Sequence, residues 1–329
     1  MSRISPEQRA EARSARQRMA LRARQRGMGK VVSYAVQSAL EFPLIWLLKA
    51  LPVDVASAFG GWVGRSLIAR LTDREVVERT LRVPFPAISA DEVTAIIAAL
   101  SDHLGRVVGE TAHLDAFAGI GNRRISIVGA EHMAALSGQP VLFVGGHFGN
   151  WELYAIAIRA LGFDGASAVQ HPSNPAIAEW IACERFRNGF SEQVGAGEGV
   201  YRGLRRTLKA GRSAAIMVDQ SVVNGIAVPF FGRETMTNLI PARLARELGV
   251  PVVLVGNRRL AGAQFELSFQ PPLRVVPTAD RAADERALTT RINAFYEAEI
   301  LRVPGHWLWG HPRWDEAPRT PGTNRELEE

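Results

Sequence analysis

Cysteine is almost absent from this chain of 329 residues, since Cys183 is the only one. A single cysteine excludes a disulfide framework and a cysteine metal cluster, and it fits a reducing cytoplasm. Internal repeats are absent as well. Hydrophobic residues make up 47% of the sequence, which favours a folded chain with one large domain or two smaller ones.

Acidic residues are scarce in the first 30 positions, which carry eight arginines and Lys30 against Glu7 and Glu11. The whole chain has a net charge of +6, so the rest of it is close to neutral. A basic tail suits anionic lipid headgroups or nucleic acid, and its Arg, Ala and Ser content also resembles a transit peptide. Aromatic residues do not interleave with the arginines, which argues against stacking on single-stranded nucleic acid. We predict a disordered basic tail over residues 1–30 and no nucleic-acid partner.

The next segment, residues 31–52, is apolar but interrupted. Ser33, Gln37 and Glu41 recur every four residues as a polar stripe, and Pro43 should kink or end the helix. A membrane-spanning helix needs about 20 mostly apolar residues and seldom tolerates a central glutamate. We predict a helix that lies in the membrane interface on the cytoplasmic side. The alternative is a buried core helix.

The rest of the chain begins with helical patterns and then alternates between apolar and amphipathic runs. A small-residue helix over Val53–Leu71 suits close packing, and Asp91–Phe117 has helical periodicity. Expected strands are Ile125–Val128, Val141–Val144, Ala166–Val169, Ala214–Val218, Val252–Gly256 and Phe265–Phe269. Expected helices are Trp151–Leu161, Pro175–Arg187, Val200–Lys209, Ile240–Leu248 and Ala283–Leu301. This alternation predicts an α/β fold with a mostly parallel mixed sheet flanked by helices.

The most informative segment is Val141–Glu152, which reads VLFVGGHFGNWE. Its apolar run predicts a strand that ends at Gly145 and Gly146, with His147 in the loop that follows. An imidazole on a strand-to-helix loop is a suitable general base for a hydroxyl group. The glycines are expected to leave room for a substrate to approach the backbone. The alternative is a partly buried histidine that caps a helix.

Glu152 follows His147 by five residues. On a straight helix this spacing is a rotation of about 140°, at roughly 3.6 residues per turn, so the two meet only if His147 lies in the loop. Asn150 is a suitable N-cap, with Trp151 and Glu152 in the first turn. We predict that Glu152 accepts the imidazole proton and that N–H groups of this turn hold an oxyanion.

Two further places have the chemistry of a binding site. Asp219 and Gln220 follow a predicted strand, and polar residues at strand ends face the ligand crevice of an α/β sheet. Arg185 and Arg187 lie near the end of a predicted helix, where arginines are solvated or grip a phosphate.

Cofactor motifs are incomplete in this chain. The glycine-rich stretch 195–203 has Val200 where a dinucleotide loop needs its third glycine. His306 and His311 have no acidic or cysteine partner at ligand spacing, so we predict no metal and no cofactor. The tryptophans around these histidines, together with Arg313, suit an interface or the wall of a lipid groove.

Taken in order, these motifs resemble the lipid A biosynthesis (lauroyl/myristoyl) acyltransferase family, within the glycerolipid acyltransferase superfamily. The resemblance covers nearly the whole chain after the basic tail. It rests on Leu51-Pro52…Gly60…Gly64, Leu104-Gly105-Arg106…Glu110, His147…Glu152, His171-Pro172…Asn174-Pro175…Arg187, Asp219-Gln220, Val228-Pro229-Phe230-Phe231-Gly232 and Trp307…Trp309…His311…Arg313-Trp314. The His-x4-Glu box alone is weakly specific, while the ordered set is strong. One departure is His171, where many members have arginine.

The resemblance implies an acyltransferase domain over residues 53–318 and a polar disordered tail over 319–329. It implies transfer of a fatty acyl chain from acyl carrier protein to a hydroxyl of a lipid A precursor that normally bears Kdo sugars. The location would be the cytoplasmic face of the bacterial inner membrane, on an anionic surface. An acyltransferase on another membrane glycolipid or lysophospholipid, and a non-catalytic lipid-binding protein, are the alternatives.

The resemblance also implies roles for site residues. His147, held by Glu152, would be the catalytic base, with backbone N–H groups near Gly149–Trp151 on the oxyanion. Arg187 and Asp219 would shape the site through a salt bridge. The residues expected to contact substrate are Asn150, Trp151, His171, Arg187, Asp219, Gln220 and Arg313.

Overall fold

The computed structural model describes residues 28–119, 121–197, 199–311 and 313–314. The tails predicted to be disordered, 1–30 and 319–329, lie outside these residues apart from 28–30, which open the first helix. The helices are α1 Met28–Ala50, α2 Val53–Val63, α3 Ala69–Leu71, α4 Arg74–Leu81, α5 Ala90–Thr111, α6 Ala130–Ala134, α7 Leu153–Ala160, α8 Pro175–Asn188, α9 Val200–Lys209, α10 Ile240–Leu248 and α11 Arg281–Arg302. The strands are β1 Ile125–Val128, β2 Leu142–Gly145, β3 Gly165–Val169, β4 Glu192–Gly195, β5 Ser213–Met217, β6 Ser221–Phe230, β7 Arg233–Thr237, β8 Val252–Arg259 and β9 Phe265–Phe269.

In the described part of the chain, seven strands form one sheet in the order β1-β9-β8-β2-β5-β3-β4. β8 and β9 are antiparallel, and the other neighbours are parallel. Successive side chains of a strand point to opposite faces, so Leu142 and Val144 enter one hydrophobic core while Val141 and Phe143 enter the other. Helices cover both cores. The predicted α/β fold with a mostly parallel mixed sheet is therefore confirmed.

Five elements have no counterpart in the sequence prediction, namely α4, α6, β4, β6 and β7. β4 is a half-buried edge strand, and its sequence EQVG lacks the apolar run that marks the inner strands. β6 and β7 form a separate antiparallel hairpin that turns at Phe231 and Gly232, both with positive φ. The short helix α6 follows β1. The strands β4, β6 and β7 carry polar residues on exposed faces and lack the apolar pattern that reveals β1, the other edge strand of the sheet.

Glycines bring α2 and its π-helical continuation Gly64–Ile68 against α5 at backbone distance. A Cβ on Gly60 would lie 2.2 Å from the carbonyl oxygen of Gly105, and one on Gly105 would lie 2.0 Å from that of Gly60. The prediction that the glycines of this helix serve close packing is confirmed.

Gly105→Ala is expected to lower the free energy of unfolding by about 1–3 kcal/mol, because the added methyl forces these helices apart. Gly199→Ala is the matched control, since a Cβ there meets open space and the backbone is already in the right-handed helical region. Urea denaturation of both variants measures the difference. Equal stability of the two would contradict the close approach of the helices.

The first helix, α1, lies across the surface with little of it buried. Asn174 Nδ2 donates to the Tyr34 carbonyl and Leu48 packs into a small core, while Leu40 and Trp46 are each 71% exposed. Pro43 lies within the helix, which continues to Ala50, so the proline does not end it. Among the described residues, no helix is both long and apolar enough to cross a membrane.

Candidate functional site

The candidate active site lies at the carboxyl ends of two neighbouring parallel strands. β2 and β5 pair in a register that sets Gly145 opposite Met217. His147 and Asp219 each follow two residues after these partners. The register therefore brings an imidazole and a carboxylate together at one edge of the sheet, where α/β proteins bind ligands.

Asp219 is the carboxylate that holds His147. Its Oδ1 lies 2.8 Å from the imidazole Nδ1, and its Oδ2 accepts the backbone N–H of His147 at 3.0 Å. The indole Nε1 of Trp307 donates to the same Oδ2 at 2.8 Å, and Asp219 is only 1% exposed. Because Nδ1 donates its proton to this carboxylate, the neutral imidazole presents an unprotonated Nε2 to a substrate.

The pair shifts both pKa values. Burial alone would raise the pKa of Asp219 and lower that of His147. The attraction between the carboxylate and the imidazolium, together with their hydrogen bond, outweighs burial in both residues. It lowers the pKa of Asp219 to about 2 and raises the pKa of His147 above its ordinary 6.5, with a smaller contribution from the charge of Glu152. Asp219 therefore stays ionised at neutral pH, and His147 is a stronger base than a free imidazole.

Glu152 has a different partner from the predicted one. Both of its carboxylate oxygens accept from Arg185, from Nη2 at 2.6 Å and from Nε at 2.7 Å. The prediction that Glu152 accepts the imidazole proton is wrong, because its oxygens serve this two-point ion pair and Asp219 serves His147. Arg185 Nη1 is buried without a hydrogen-bond partner in the described part of the chain, so the ion pair does not exhaust its donors.

The space beside the two glycines is filled by protein. A Cβ on Gly145 would lie 2.9 Å from the ring of Tyr154, and one on Gly146 would lie 2.3 Å from the ring of Phe148. The hydroxyl of Tyr154 donates to the Gly146 carbonyl at 2.9 Å, and that of Tyr296 donates to the Gly145 carbonyl at 2.6 Å. The prediction that these glycines leave room for a substrate is wrong. They allow aromatic side chains to clamp the loop that carries His147.

A buried polar network supports the other side of the loop. The carboxylate of Glu110 is fully buried and accepts from Asn150 Nδ2 at 2.9 Å and from Arg259 Nη2 at 3.0 Å. Asn257 Nδ2 donates to the Asn150 carbonyl at 2.6 Å, and Gly149 has a φ of +50° directly beside Asn257. The loop conformation is thus fixed by groups that come from α5 and β8.

The turn after His147 leaves three amides unengaged. Asn150 Oδ1 accepts the N–H of Glu152 at 3.1 Å, and the Asn150 carbonyl accepts that of Leu153 at 3.0 Å, so α7 begins two residues later than predicted. Within the described residues, the amides of Gly149, Asn150 and Trp151 donate to no acceptor. Unengaged backbone N–H groups beside a base are suited to hold a developing oxyanion.

Sequence comparisons identify the family of this chain. Residues 30–316 match the family model of the bacterial lipid A biosynthesis acyltransferases. The chain belongs to that family. It is 27% identical over 287 residues to the lipid A biosynthesis palmitoleoyltransferase of Escherichia coli, and equally to the lipid A biosynthesis acyltransferase of Shigella flexneri. Each match covers 84% of this chain and 90% of the relative. The resemblance inferred from the ordered motifs is confirmed, and the protein is an enzyme of the acyltransferase class.

The predicted contacts of two arginine side chains, Arg187 and Arg313, are wrong. Arg187 is mostly exposed and pairs with Glu184 at 2.8 Å, so it forms no salt bridge with Asp219. Arg313 was expected to contact substrate, but it is 1% exposed and binds the hairpin, donating from Nη2 to Thr237 Oγ1 at 2.8 Å. Its burial lowers its pKa to about 10.

The other residues predicted to contact substrate differ in exposure. The ring of Trp151 stands edge-on to that of His147, with centroids 5.5 Å apart. Gln220 is half-buried next to Asp219, and His171 is exposed beyond the end of β3. Asn150 is fully buried, so its side chain supports the loop through Glu110 and does not face the substrate. Roles of these residues in substrate binding stay predictions.

The C-terminal tryptophans lie in a different environment from the one that the sequence predicts. They were expected at an interface or a lipid groove, but Trp307 and Trp309 are buried against each other and Trp307 reaches Asp219. Tyr296 on α11 likewise reaches β2. Each lies more than 80 positions from its partner, and local periodicity carries no information on such contacts.

Proposed function

We propose that the protein transfers a fatty acyl chain from acyl carrier protein to a hydroxyl, or hydroxyacyl hydroxyl, of a Kdo-bearing lipid A precursor. The hydrogen-bonded pair of His147 and Asp219 at the carboxyl edge of the sheet carries this proposal. Family membership supports acyl transfer as the reaction, and the family description supports lipid A synthesis as its setting.

In this mechanism His147 Nε2 removes the proton of the acceptor hydroxyl as its oxygen attacks the thioester carbonyl. The new bond joins the acceptor oxygen to the acyl carbon, and the bond from that carbon to the donor sulfur breaks. The imidazolium then gives its proton to the departing thiolate. Asp219 keeps the imidazole in the reactive tautomer and stabilises the imidazolium, so no covalent acyl-enzyme is required.

Of the unengaged amides near Gly149–Trp151, those of Gly149 and Trp151 would hold the developing oxyanion, since Asn150 is fully buried. Glu152 and Arg185 act as positioning residues. Their two-point ion pair ties the start of α7 to α8, beside Trp151, and the charge of Glu152 adds to the basicity of His147. Arg187 is 58% exposed and stays a candidate for an acceptor phosphate, whereas the unpaired Nη1 of Arg185 is itself buried.

The decisive experiment offers the purified full-length protein a set of acyl carrier protein thioesters of mixed chain length. Kdo-bearing tetraacylated lipid A precursor is the acceptor, mass spectrometry is the readout, and His147→Ala protein gives the background. The expected product has gained one acyl group. A gain with a total membrane lipid extract but not with the precursor would contradict the proposed acceptor, and a gain only from coenzyme A thioesters would contradict the proposed donor.

We also propose that α1 lies on the anionic surface of the inner membrane at its cytoplasmic face, where an acyl carrier protein can reach the site. Val36, Leu40, Leu44 and Leu47 follow the helical repeat and are exposed, as is Trp46. An apolar stripe of this kind on a surface helix, next to a basic N-terminal stretch, suits an interfacial position.

Leu40→Glu combined with Trp46→Glu is expected to weaken binding to phosphatidylglycerol-containing vesicles at least about tenfold, because two exposed apolar side chains no longer enter the interface. Sedimentation with the vesicles measures the bound fraction. Val223→Glu is the control, since Val223 is an apolar residue that is 75% exposed and belongs to β6 rather than α1. Equal losses in both proteins would contradict the membrane position of α1.

A further inference from the structure

A cavity of about 450 Å³ lies behind the loop that carries His147. It is open to solvent on one side and is lined by the π-helical turn after α2, by α5, by the end of β8 and by the segment after α11. Its polar lining consists of Arg65, Asp102, His103, Arg106, Arg259 and His306. Ala98, Ala99, Val303 and Gly305 form the apolar remainder. None of these side chains belongs to the proposed acyl-transfer step.

The cavity has more positive than negative groups. Asp102 accepts from Arg106 Nε at 2.6 Å and also pairs with Arg65. Arg259 pairs with Glu110 behind the cavity wall. Two carboxylates thus face three guanidinium groups, which leaves one positive charge without a counterpart among these residues.

Two side chains that line the cavity have nitrogen atoms without a strong hydrogen-bond partner among the described residues. Among the described residues, Arg106 has only one further contact, from Nη1 to Ser57 Oγ at a long 3.4 Å. His306 Nδ1 is buried without a hydrogen-bond partner in the same part of the chain. Burial and the charge of Arg259 lower the pKa of His306 to about 4, so its ring is neutral and its N–H can donate to an anion without adding charge.

An exposed aromatic pair lies next to the cationic opening. Phe59 and Trp62 are exposed on α2, with ring centroids 5.8 Å apart. Trp62 precedes Arg65 by three residues, and side chains at this spacing share a helix face. A guanidinium beside exposed aromatic rings matches a ligand with an anionic head and an apolar body.

We propose that this cavity binds a phosphate group carried by a membrane amphiphile, with Arg65, Arg106 and His306 around the phosphate. The amphiphile is either a phospholipid or the phosphorylated lipid acceptor, since both present the same chemistry. Arginine is suited to the role because its planar fork matches phosphate oxygens.

The cavity is connected to the active-site loop in two ways. His103 stacks on His306 with centroids 4.6 Å apart, and its Nε2 lies 2.9 Å from the Gly149 carbonyl oxygen. His306 directly precedes Trp307, which donates to Asp219. A ligand in the cavity therefore contacts His103, which holds Gly149, and His306, which is next to the Trp307 that holds Asp219. Its binding should make the loop that carries His147 more rigid.

Isothermal titration calorimetry on the full-length protein in nonionic detergent tests the site without turnover. The probes are tetraacylated lipid A precursor, the same lipid without its phosphates, short-chain phosphatidylglycerol and inorganic phosphate. Arg106→Gln is expected to raise the dissociation constant of a phosphorylated lipid at least about tenfold, through loss of a charge-assisted hydrogen bond. The dephosphorylated lipid should show no dependence on Arg106.

Arg82→Gln is the matched control, because Arg82 also pairs with a carboxylate four residues earlier on a helix, at 2.6 Å from Glu78. Ala98→Leu narrows the cavity without a change of charge and should weaken the same probes if Arg106→Gln fails to fold. If Arg106→Gln weakens binding of the lipid A precursor alone, the cavity is a site for the acceptor. If it weakens binding of both the precursor and phosphatidylglycerol, the cavity is a site for anionic lipid headgroups in general.

Equal affinities of the wild-type and Arg106→Gln proteins for every probe would overturn the proposal. Inorganic phosphate that binds as tightly as the lipids would overturn the assignment to an amphiphile. If the acceptor is the ligand, a consequence that rests on the proposed function follows. Arg106→Gln should then raise KM for the acceptor but not for the acyl donor. The calorimetric titrations measure binding without acyl transfer. They therefore stay interpretable if the protein shows no acyl-transfer activity.

Discussion

Asp219→Asn is expected to lower kcat/KM for acyl transfer about 10³- to 10⁴-fold, close to the loss expected for His147→Ala. A carboxylate can only accept the Nδ1 proton of His147, whereas an asparagine amide can donate to Nδ1 instead. The imidazole then carries its proton on Nε2 and cannot accept one from the substrate. Loss of the corresponding carboxylate in serine-protease triads has an effect of this size. Initial rates at subsaturating acceptor measure it.

The pH dependence of the same reaction is a second readout. Because the pKa of His147 is raised above its ordinary value, kcat/KM of the wild-type protein should fall as the pH drops through that raised pKa. In Asp219→Asn the charge that favours imidazolium is gone, so this acid limb should move to lower pH. A lower rate with an unmoved acid limb would show that Asp219 acts only as a structural residue.

Glu110→Ala is expected to lower the free energy of unfolding by about 3–5 kcal/mol, the usual result of removing one partner from a buried ion pair. Arg259 is almost fully buried against Glu110 and would lose its counter-charge. The Asn150 amide and the Ser57 hydroxyl, 2.6 Å from Glu110, would lose their acceptor. Chemical denaturation followed by circular dichroism measures the loss.

Glu247→Ala provides the comparison for this stability change. Glu247 pairs with Arg205 at 2.5 Å, but both side chains are more than one-third exposed, and surface pairs contribute about 0–1 kcal/mol. A loss in Glu110→Ala no larger than that in Glu247→Ala would contradict the role of the buried network. The acyl-transfer activity of Glu110→Ala, measured at a temperature where this variant is folded, would then show how far the position of Asn150 depends on this network.

Most of the sheet was predictable because β2, β5 and β8 contain apolar runs close to glycine, while β1 and β9 alternate apolar and polar residues. β1 and β9 have the predicted bounds, and β2 is shifted by one residue. β4 and the β6–β7 hairpin escaped prediction because half of their surface faces away from the cores. Their polar residues remove the apolar run that would have marked them.

The candidate base was predictable, and its partner was not. His147 could be found from the strand, the glycines and the cap that follow one another in the chain. Its partner depends on which strand lies beside β2, and that neighbour is β5, about 70 residues away in sequence. Closeness along the chain favours Glu152 as the partner of His147. The register of the parallel pair, which places Asp219 opposite His147, decides the contact instead.

The two arginines near the end of α8 show the same limit of prediction from the sequence. Arg185 and Arg187 lie on one helix and have the same chemistry, yet only Arg185 reaches the active-site loop. A difference of two positions turns a side chain by about 200° around a helix of roughly 3.6 residues per turn. The choice between them requires knowing which face of α8 meets α7, which a helix with weak amphipathic periodicity does not reveal.

The orientation of His147 by Asp219 is most directly tested by nitrogen-15 NMR of histidine-labelled protein, titrated in the wild type, Asp219→Asn and Glu152→Gln. The wild type should show a protonated Nδ1 and an unprotonated Nε2 on the alkaline side of a pKa above 6.5. Glu152→Gln should keep this tautomer, and Asp219→Asn should lose it and lower the pKa. A wild-type imidazole with its proton on Nε2, or a tautomer lost in Glu152→Gln but kept in Asp219→Asn, would contradict the account.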